Sequence, residues 1–174
     1  MRDFNITDFG ARECDRPQTK EIQAALDACF LAGGGRVIIP CGVFYTGCIR
    51  VRSNTTLYLE CGAILRGSRI LSDYYGYRED TLEPLVEPTY SPTVKVSGSV
   101  RPFSDWNSGI IKVIEAENVS IIGEKGSYID GCDVYNPEGE ENYRGPHAIN
   151  MYKATGVYLE GYTIINSANW AHNI

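Results

Sequence analysis

The chain is poor in histidine, with two in 174 residues, and none of its six cysteines forms a Cys-x-x-Cys pair. Structural zinc sites and thioredoxin-type redox motifs need such spacing, so neither is written here. Cys14, Cys29, Cys41, Cys48, Cys61 and Cys132 read instead as reduced, mostly buried thiols acting as small apolar residues. No metal and no cofactor is expected. No run approaches the ~18 apolar residues of a membrane span. The opening MRDFNITDFGA lacks an apolar h-region, so the expectation is a cytoplasmic protein, or a secreted one whose leader has been removed. Positive charge is also scarce: 16 Lys and Arg against 22 Asp and Glu leave a net charge of −6. Nucleic acids and anionic membranes require a basic footprint, and neither is expected as a partner. The acidic runs EDTLEPLVE (79–87) and PEGEE (137–141) read as solvated loop charge.

What is present is a strand pattern that returns. GIIKVI (109–114), NVSIIG (118–123) and SYIDG (127–131) are followed by AINMY (148–152), GVYLEG (156–161) and TIINS (163–167). A looser copy reads CIRV (48–51), NTTLYL (54–59) and AILRG (63–67), and strands begin earlier still at RVIIP (36–40) and VFYTG (43–47). β-branched and aromatic residues dominate these runs, as strands prefer. Within a copy the runs lie six to nine residues apart, the spacing of one strand plus a tight turn. Each copy therefore reads as one coil of three strands, and stacked coils bury their faces against one another. The fold expected is all-β: a single-stranded parallel β-helix of about three coils over residues 1–174.

Two further signals support that register. Asn54, Asn118 and Gly156 each precede a Leu or Ile by three residues (Leu57, Ile121, Leu159), and Asn and Gly tolerate the left-handed backbone that a tight turn demands. Before the strands, Ile22, Ala25, Leu26 and Cys29 form an amphipathic stripe over about 18–31. Asp15 or Thr19 can cap this helix and Gly33–Gly35 ends it. Such a helix laid across the first coil covers otherwise unpaired backbone and apolar side chains.

Two insertions, about 68–108 and 132–147, both follow the third strand of a coil and carry aromatics mixed with polar groups (DYYGYRED, RPFSDW, DVYNPEGEENYRGPH). Insertions leaving from one edge build a wall on one face, often the binding face. Aromatic faces pack on sugar C–H groups while polar side chains meet hydroxyls. Arg144 can meet a carboxylate, and Trp170 can act as a sugar platform or fill a loop base. Aligning His147-Ala148-Ile149 over His172-Asn173-Ile174, with Ser108-Gly109-Ile110 one coil earlier, stacks His147 and His172 about 4.8 Å apart along the axis. Imidazoles placed there would hydrogen-bond hydroxyls or pair with a carboxylate, and would repel each other when both are protonated. Asp130 in YIDG, at a strand-to-turn junction, reads as a residue bonding its own backbone.

FNITDFGA, IQAALDAC, GGGRVIIPCGVFYTG, SNTTLYLECGAILRGS and, later, YIDG, RGPHAINMY and YTIINSANWAH together resemble glycoside hydrolase family 28, the polygalacturonase-like pectin hydrolases, which implies a right-handed parallel β-helix. The resemblance covers nearly the whole chain and implies an N-terminal portion. In the family, the acids of an Asn-x-Asp or His-Asp element, an Asp-Asp pair, a Gly-His-Gly and an Arg-x-Lys lie downstream of the NSANW-like segment. This sequence contains no Asp-Asp, Gly-His-Gly or Arg-x-Lys. The expectation is thus a fragment, cut where a fourth coil begins, with no catalytic residue of its own. Its substrate-binding candidates are Arg144, His147, Trp170 and His172, and its expected partner is a uronate-containing polysaccharide. The competing reading is a non-catalytic carbohydrate-binding or structural β-helix module that self-associates through an open last coil.

Overall fold

A computed structural model describes residues 1–74, 108–135 and 144–174. Its strands run β1 (Asp3–Asn5), β2 (Gly35–Ile39), β3 (Gly42–Thr46), β4 (Ile49–Val51), β5 (Thr55–Leu59), β6 (Ala63–Gly67), β7 (Gly109–Ile114), β8 (Ser120–Gly123), β9 (Tyr128–Asp130), β10 (His147–Tyr152), β11 (Tyr158–Glu160), β12 (Thr163–Ile165) and β13 (His172–Asn173), with helix α1 (Thr19–Leu31) after β1. Every ladder is parallel, and the strands fall into three sheets: β1-β2-β5-β8-β11, β3-β6-β9-β12 and β4-β7-β10-β13. Successive strands visit the three sheets in turn, so the chain is a parallel β-helix.

Register fixes the core. Val37, Leu57, Ile121 and Leu159 are ladder partners in the first sheet, and Phe44, Leu65, Ile129 and Ile164 in the second. The third contributes Ile49, Ile111 and Ile149. Each column stacks like side chains one strand spacing apart, and every one up to the β8–β10 coil is buried. Between β4 and β5 the turn residue Asn54 has φ of 60°, and its equivalents Asn118 and Gly156 have 55° and 63°. The predicted left-handed turn column is therefore present. Asn118 Nδ2 donates to Asn54 Oδ1 at 3.3 Å, the start of an asparagine ladder.

The front of the helix is sealed by residues 13–23. The free edge of β3 is met by the Glu13 carboxylate, which accepts from Val43 N–H at 3.1 Å, and by Gln18 N–H, which donates to Tyr45 O at 2.7 Å. Gly47 N–H donates to Thr19 Oγ1 at 2.7 Å. At the edge of β4, Gln23 pairs with Arg50 as a strand would: Arg50 N–H donates to its Oε1 at 2.8 Å and its Nε2 donates to Arg50 O at 3.2 Å. Buried backbone groups must find partners, and here side chains supply them. Ile22, Ala25, Leu26 and Cys29 face the core as the stripe predicts. The cap differs from expectation. Gln18, not Asp15 or Thr19, is the N-cap and makes no side-chain capping bond, and the Thr19 hydroxyl is committed to Gly47 instead.

The cysteines also depart from expectation. Cys29 and Cys48 are buried, Cys14 and Cys132 half-buried, and Cys41 and Cys61 exposed at turns. The turn positions carry no inward side chain, so the core has no use for them. Both inferred insertions join a second-sheet strand to a third-sheet strand (β6 to β7, β9 to β10), hence leave from one corner. Most of their aromatic content lies outside the described residues.

Candidate functional site

That corner holds a groove of about 540 Å³ lined by Asp133, Tyr135, Arg144, Ser167, Ala168, Asn169 and Trp170. Its wall is made where the chain leaves β9, enters β10 and passes from β12 to β13. The close approach of those segments depends on Gly145. A Cβ there would lie 2.2 Å from Val134 O and 2.9 Å from Ala168 Cβ, so no larger residue fits. Gly145 N–H donates to Ala168 O at 3.1 Å, and Asn169 Nδ2 donates to Gly145 O at 3.3 Å. These bonds set Arg144 beside the segment that carries Trp170. Tyr135 is 64% and Trp170 47% exposed, which leaves both aromatic faces accessible from solvent.

A second, polar cavity of about 320 Å³ adjoins it through Asp133 and is lined by Tyr45, Arg66, Arg69, Asp130, Cys132, Asp133 and Asn166. Asp130 organises this floor. Its Oδ2 takes the Arg66 Nε bond at 2.8 Å, while Oδ1 accepts from Cys132 N–H at 2.9 Å and Asn166 Nδ2 at 3.0 Å. Burial pushes the Asp130 carboxyl up, but the Asn166 amide, the Cys132 N–H and the Arg66 guanidinium outweigh it and hold it below the usual carboxylate range. Arg66 also reaches Tyr45 Oη at 3.1 Å. Asp130 is thus committed to a structural network, as its strand-to-turn position implies.

The four predicted binding residues are not brought together. Arg144 and Trp170 share the groove. His147 is 1% exposed and packs against Trp170, ring centroids 5.9 Å apart, so it supports the groove from beneath. His172 is elsewhere: its ladder partner is Ile149, and its Nε2 lies 2.9 Å from Tyr162 Oη. The expected stacking of His147 on His172 is therefore wrong by two residues, since Ile149 pairs with His172 and Asn150 with Asn173. The coil before is off by one, because His147 pairs with Gly109 rather than Ser108. With no stacked imidazoles, the expected repulsion between them has no basis.

The corrected register reveals a polar column that the sequence reading missed. Arg50, Lys112, Asn150 and Asn173 are successive ladder partners in the third sheet. Asn173 Nδ2 donates to Asn150 Oδ1 at 3.1 Å. Lys112 is 1% exposed, and burial pulls its ammonium below the usual lysine range while a bond to Cys48 opposes the change. Asp133, Tyr135 and Asn169 were likewise not singled out. The signal for them was the shared corner itself, since each lies within a few residues of a junction between the second and third sheets.

No family model matches the chain. It is 44% identical over 72 residues to an exo-poly-alpha-D-galacturonosidase of Dickeya chrysanthemi, a match spanning 41% of this chain and 12% of the relative. The structure superposes on that of a Parabacteroides merdae protein whose glycosyl hydrolase activity is inferred, with a TM-score of 0.73, 24% identity and coverage of 98% of this chain and 68% of that one. A family 28 exopolygalacturonase of Yersinia enterocolitica gives a TM-score of 0.64 at 23% identity, covering 96% of this chain and 35% of that protein. The galacturonosidase match carries the resemblance to polygalacturonases, and the structures carry the parallel β-helix. The chain spans a small part of the galacturonosidase and about a third of the exopolygalacturonase.

Proposed function

Proceeding from a parallel β-helix similar in sequence to a galacturonosidase, we propose that these coils form part of a polygalacturonase-like glycoside hydrolase. On this reading the corner groove holds a unit of a uronate-containing, pectin-type polysaccharide. The observation that carries it is an arginine and two exposed aromatic rings on one groove. Arg144 would meet the uronate carboxylate with its planar fork. Trp170 and Tyr135 would offer ring faces to the sugar, while Asp133, Ser167 and Asn169 meet hydroxyls. Inverting hydrolysis needs a carboxylic acid and a carboxylate base about 6.5–9.5 Å apart. Asp130 is tied to Arg66, and Asp133 faces the groove without a matching acid among its lining residues. On this reading, as the missing Asp-Asp, Gly-His-Gly and Arg-x-Lys motifs imply, the acid and base are residues other than these 174.

The test is a pair of measurements on this chain. Calorimetric titration with a galacturonate oligomer is expected to give binding, and reducing-sugar release from polygalacturonate is expected to stay at the blank. Turnover would sink the assignment of the acids, and absence of binding would sink the groove. A second reading, a non-catalytic module that self-associates, draws support from the rear coil. There Met151, Lys153, Ala154, Val157, Leu159 and Ile174 line an apolar cavity of about 450 Å³. Half-buried Leu159 and Ile164 continue the core columns there with no described strand beyond them. Concentration-dependent light scattering distinguishes it: growth in mass favours association, and a constant monomer mass removes it.

A further inference from the structure

Cys41 and Cys61 occupy the same corner turn on consecutive coils, and both are exposed. The turn after β2 has two residues between Ile39 and Gly42; the turn after β5 has three between Leu59 and Ala63. The extra residue sets Cys41 opposite the Cys61–Gly62 peptide. Gly42 N–H donates to Gly62 O at 3.3 Å, and an ideal Cβ on Gly62 would lie 3.0 Å from Cys41 Sγ. The Cys41 sulfur is therefore turned toward the neighbouring coil. Strands one ladder spacing apart, offset by one residue, put the two Cα atoms about 5–6 Å apart. Disulfides span Cα separations of roughly 4.4–6.8 Å, a range that includes this spacing.

The surroundings hold both turns in place. Glu124 Oε2 accepts from Cys61 N–H at 3.0 Å, and the same carboxylate takes the Tyr58 hydroxyl at 2.6 Å through Oε1. On the other side Glu13 accepts from Val43 N–H, two residues after Cys41. Neither thiol contributes to the core, and neither belongs to the groove.

We propose that Cys41 and Cys61 are an oxidisable pair whose disulfide staples the first coil to the second. With a small-molecule disulfide such as oxidised glutathione as oxidant, the step balances. One cysteine thiolate attacks the reagent's S–S bond and expels one glutathione thiolate, forming a mixed disulfide. The second cysteine thiolate then displaces the other glutathione and closes Cys41–Cys61. Two protein thiols are oxidised, one reagent disulfide is reduced, and the two thiol protons pass to the two released thiolates.

The test incubates the 174-residue chain with oxidised glutathione, maps peptides without reduction and follows thermal unfolding. A Cys41–Cys61 cross-linked peptide and a loss of two hydrogens are expected. The bridge closes a loop of about 20 residues, so the unfolding midpoint should rise by roughly 5–10 °C. Cys41→Ser and Cys61→Ser, exposed turn substitutions, should each abolish both the cross-link and the rise while leaving the reduced midpoint unchanged. Glutathione adducts on both cysteines with no cross-link, a bridge from either one to Cys14, or a midpoint rise that survives Cys41→Ser would each overturn the proposal.

Discussion

Trp170 lies one coil above His147, its ring 5.9 Å from the imidazole and inclined by 41°, so a buried histidine sets the pose of an exposed indole. The pairing follows from the β10–β13 register extended two residues back, with Ala148 N–H donating to Trp170 O at 3.2 Å. Trp170 is thus held against β10 of the third sheet rather than on a free loop.

Replacing Arg144 tests the charge half of the groove. Arg144→Ala is expected to weaken binding of a galacturonate oligomer about tenfold, some 1.4 kcal/mol, with the loss shrinking at high salt. Binding of a neutral galactose oligomer should not change. Trp170→Ala should weaken both ligands, because a ring face does not read charge. Calorimetric titration of the two ligands separates these outcomes.

Asp130 predicts a pH signature. Its folded-state pKa is depressed, so it contributes stability above the unfolded-state value of about 4, and the contribution disappears as pH falls through the folded value. Asp130→Asn should cost about 1.5–3 kcal/mol at pH 7, the range for hydrogen bonds to charged groups. The gap between the two proteins should close in acid. Urea unfolding at several pH values measures it, and a gap independent of pH would contradict the bonds from Asn166, Cys132 and Arg66 as its source.

Gln23 predicts a stability loss that owes nothing to hydrophobic burial. Gln23→Leu keeps helix propensity and adds apolar surface, yet leaves the Arg50 peptide groups without their partners. A loss of about 1–3 kcal/mol is expected from that desolvation. Gln23→Glu should also lose stability, since a carboxylate cannot donate to Arg50 O. Denaturant midpoints of the two variants check this.

Gly156 offers a backbone test with opposite outcomes. At φ of 63°, asparagine is tolerated and β-branched residues are strained. Gly156→Val should cost about 1–2 kcal/mol. Gly156→Asn should be near neutral, because its amide can extend the Asn54–Asn118 ladder once the Asn118 oxygen, 2.9 Å from the new Cβ, shifts slightly. Thermal unfolding of the pair decides.

The coils, the three-sheet order and the left-handed turn column were legible because strand runs and turn residues repeat. The registers of two third-sheet ladders were not, and the cause is physical. Side chains alternate with a period of two, so a slip of two residues leaves every residue on its own face. His-Ala-Ile and His-Asn-Ile therefore fit equally well at offsets of 23 and 25. In GIIKVI all six residues are buried, so no alternation marks a slip of one. Side chains that bond to backbone, such as Gln23 and Glu13, carry no periodic trace at all. The groove's Asp133 and Asn169 were hidden for a related reason: their roles come from which segments share a corner, and the sequence states that only through register.

The front seal has a consequence for how such a protein can change length. Residues 13–23 close the edges of β3 and β4 with groups drawn from outside any sheet. A duplicated coil inserted behind β4 would find parallel edges on both sides, whereas one placed ahead of it would displace the closure and leave its amides competing for the same carbonyls. The segment acts as an origin from which rungs are counted, and it is the stretch of sequence that tandem duplication cannot usefully copy.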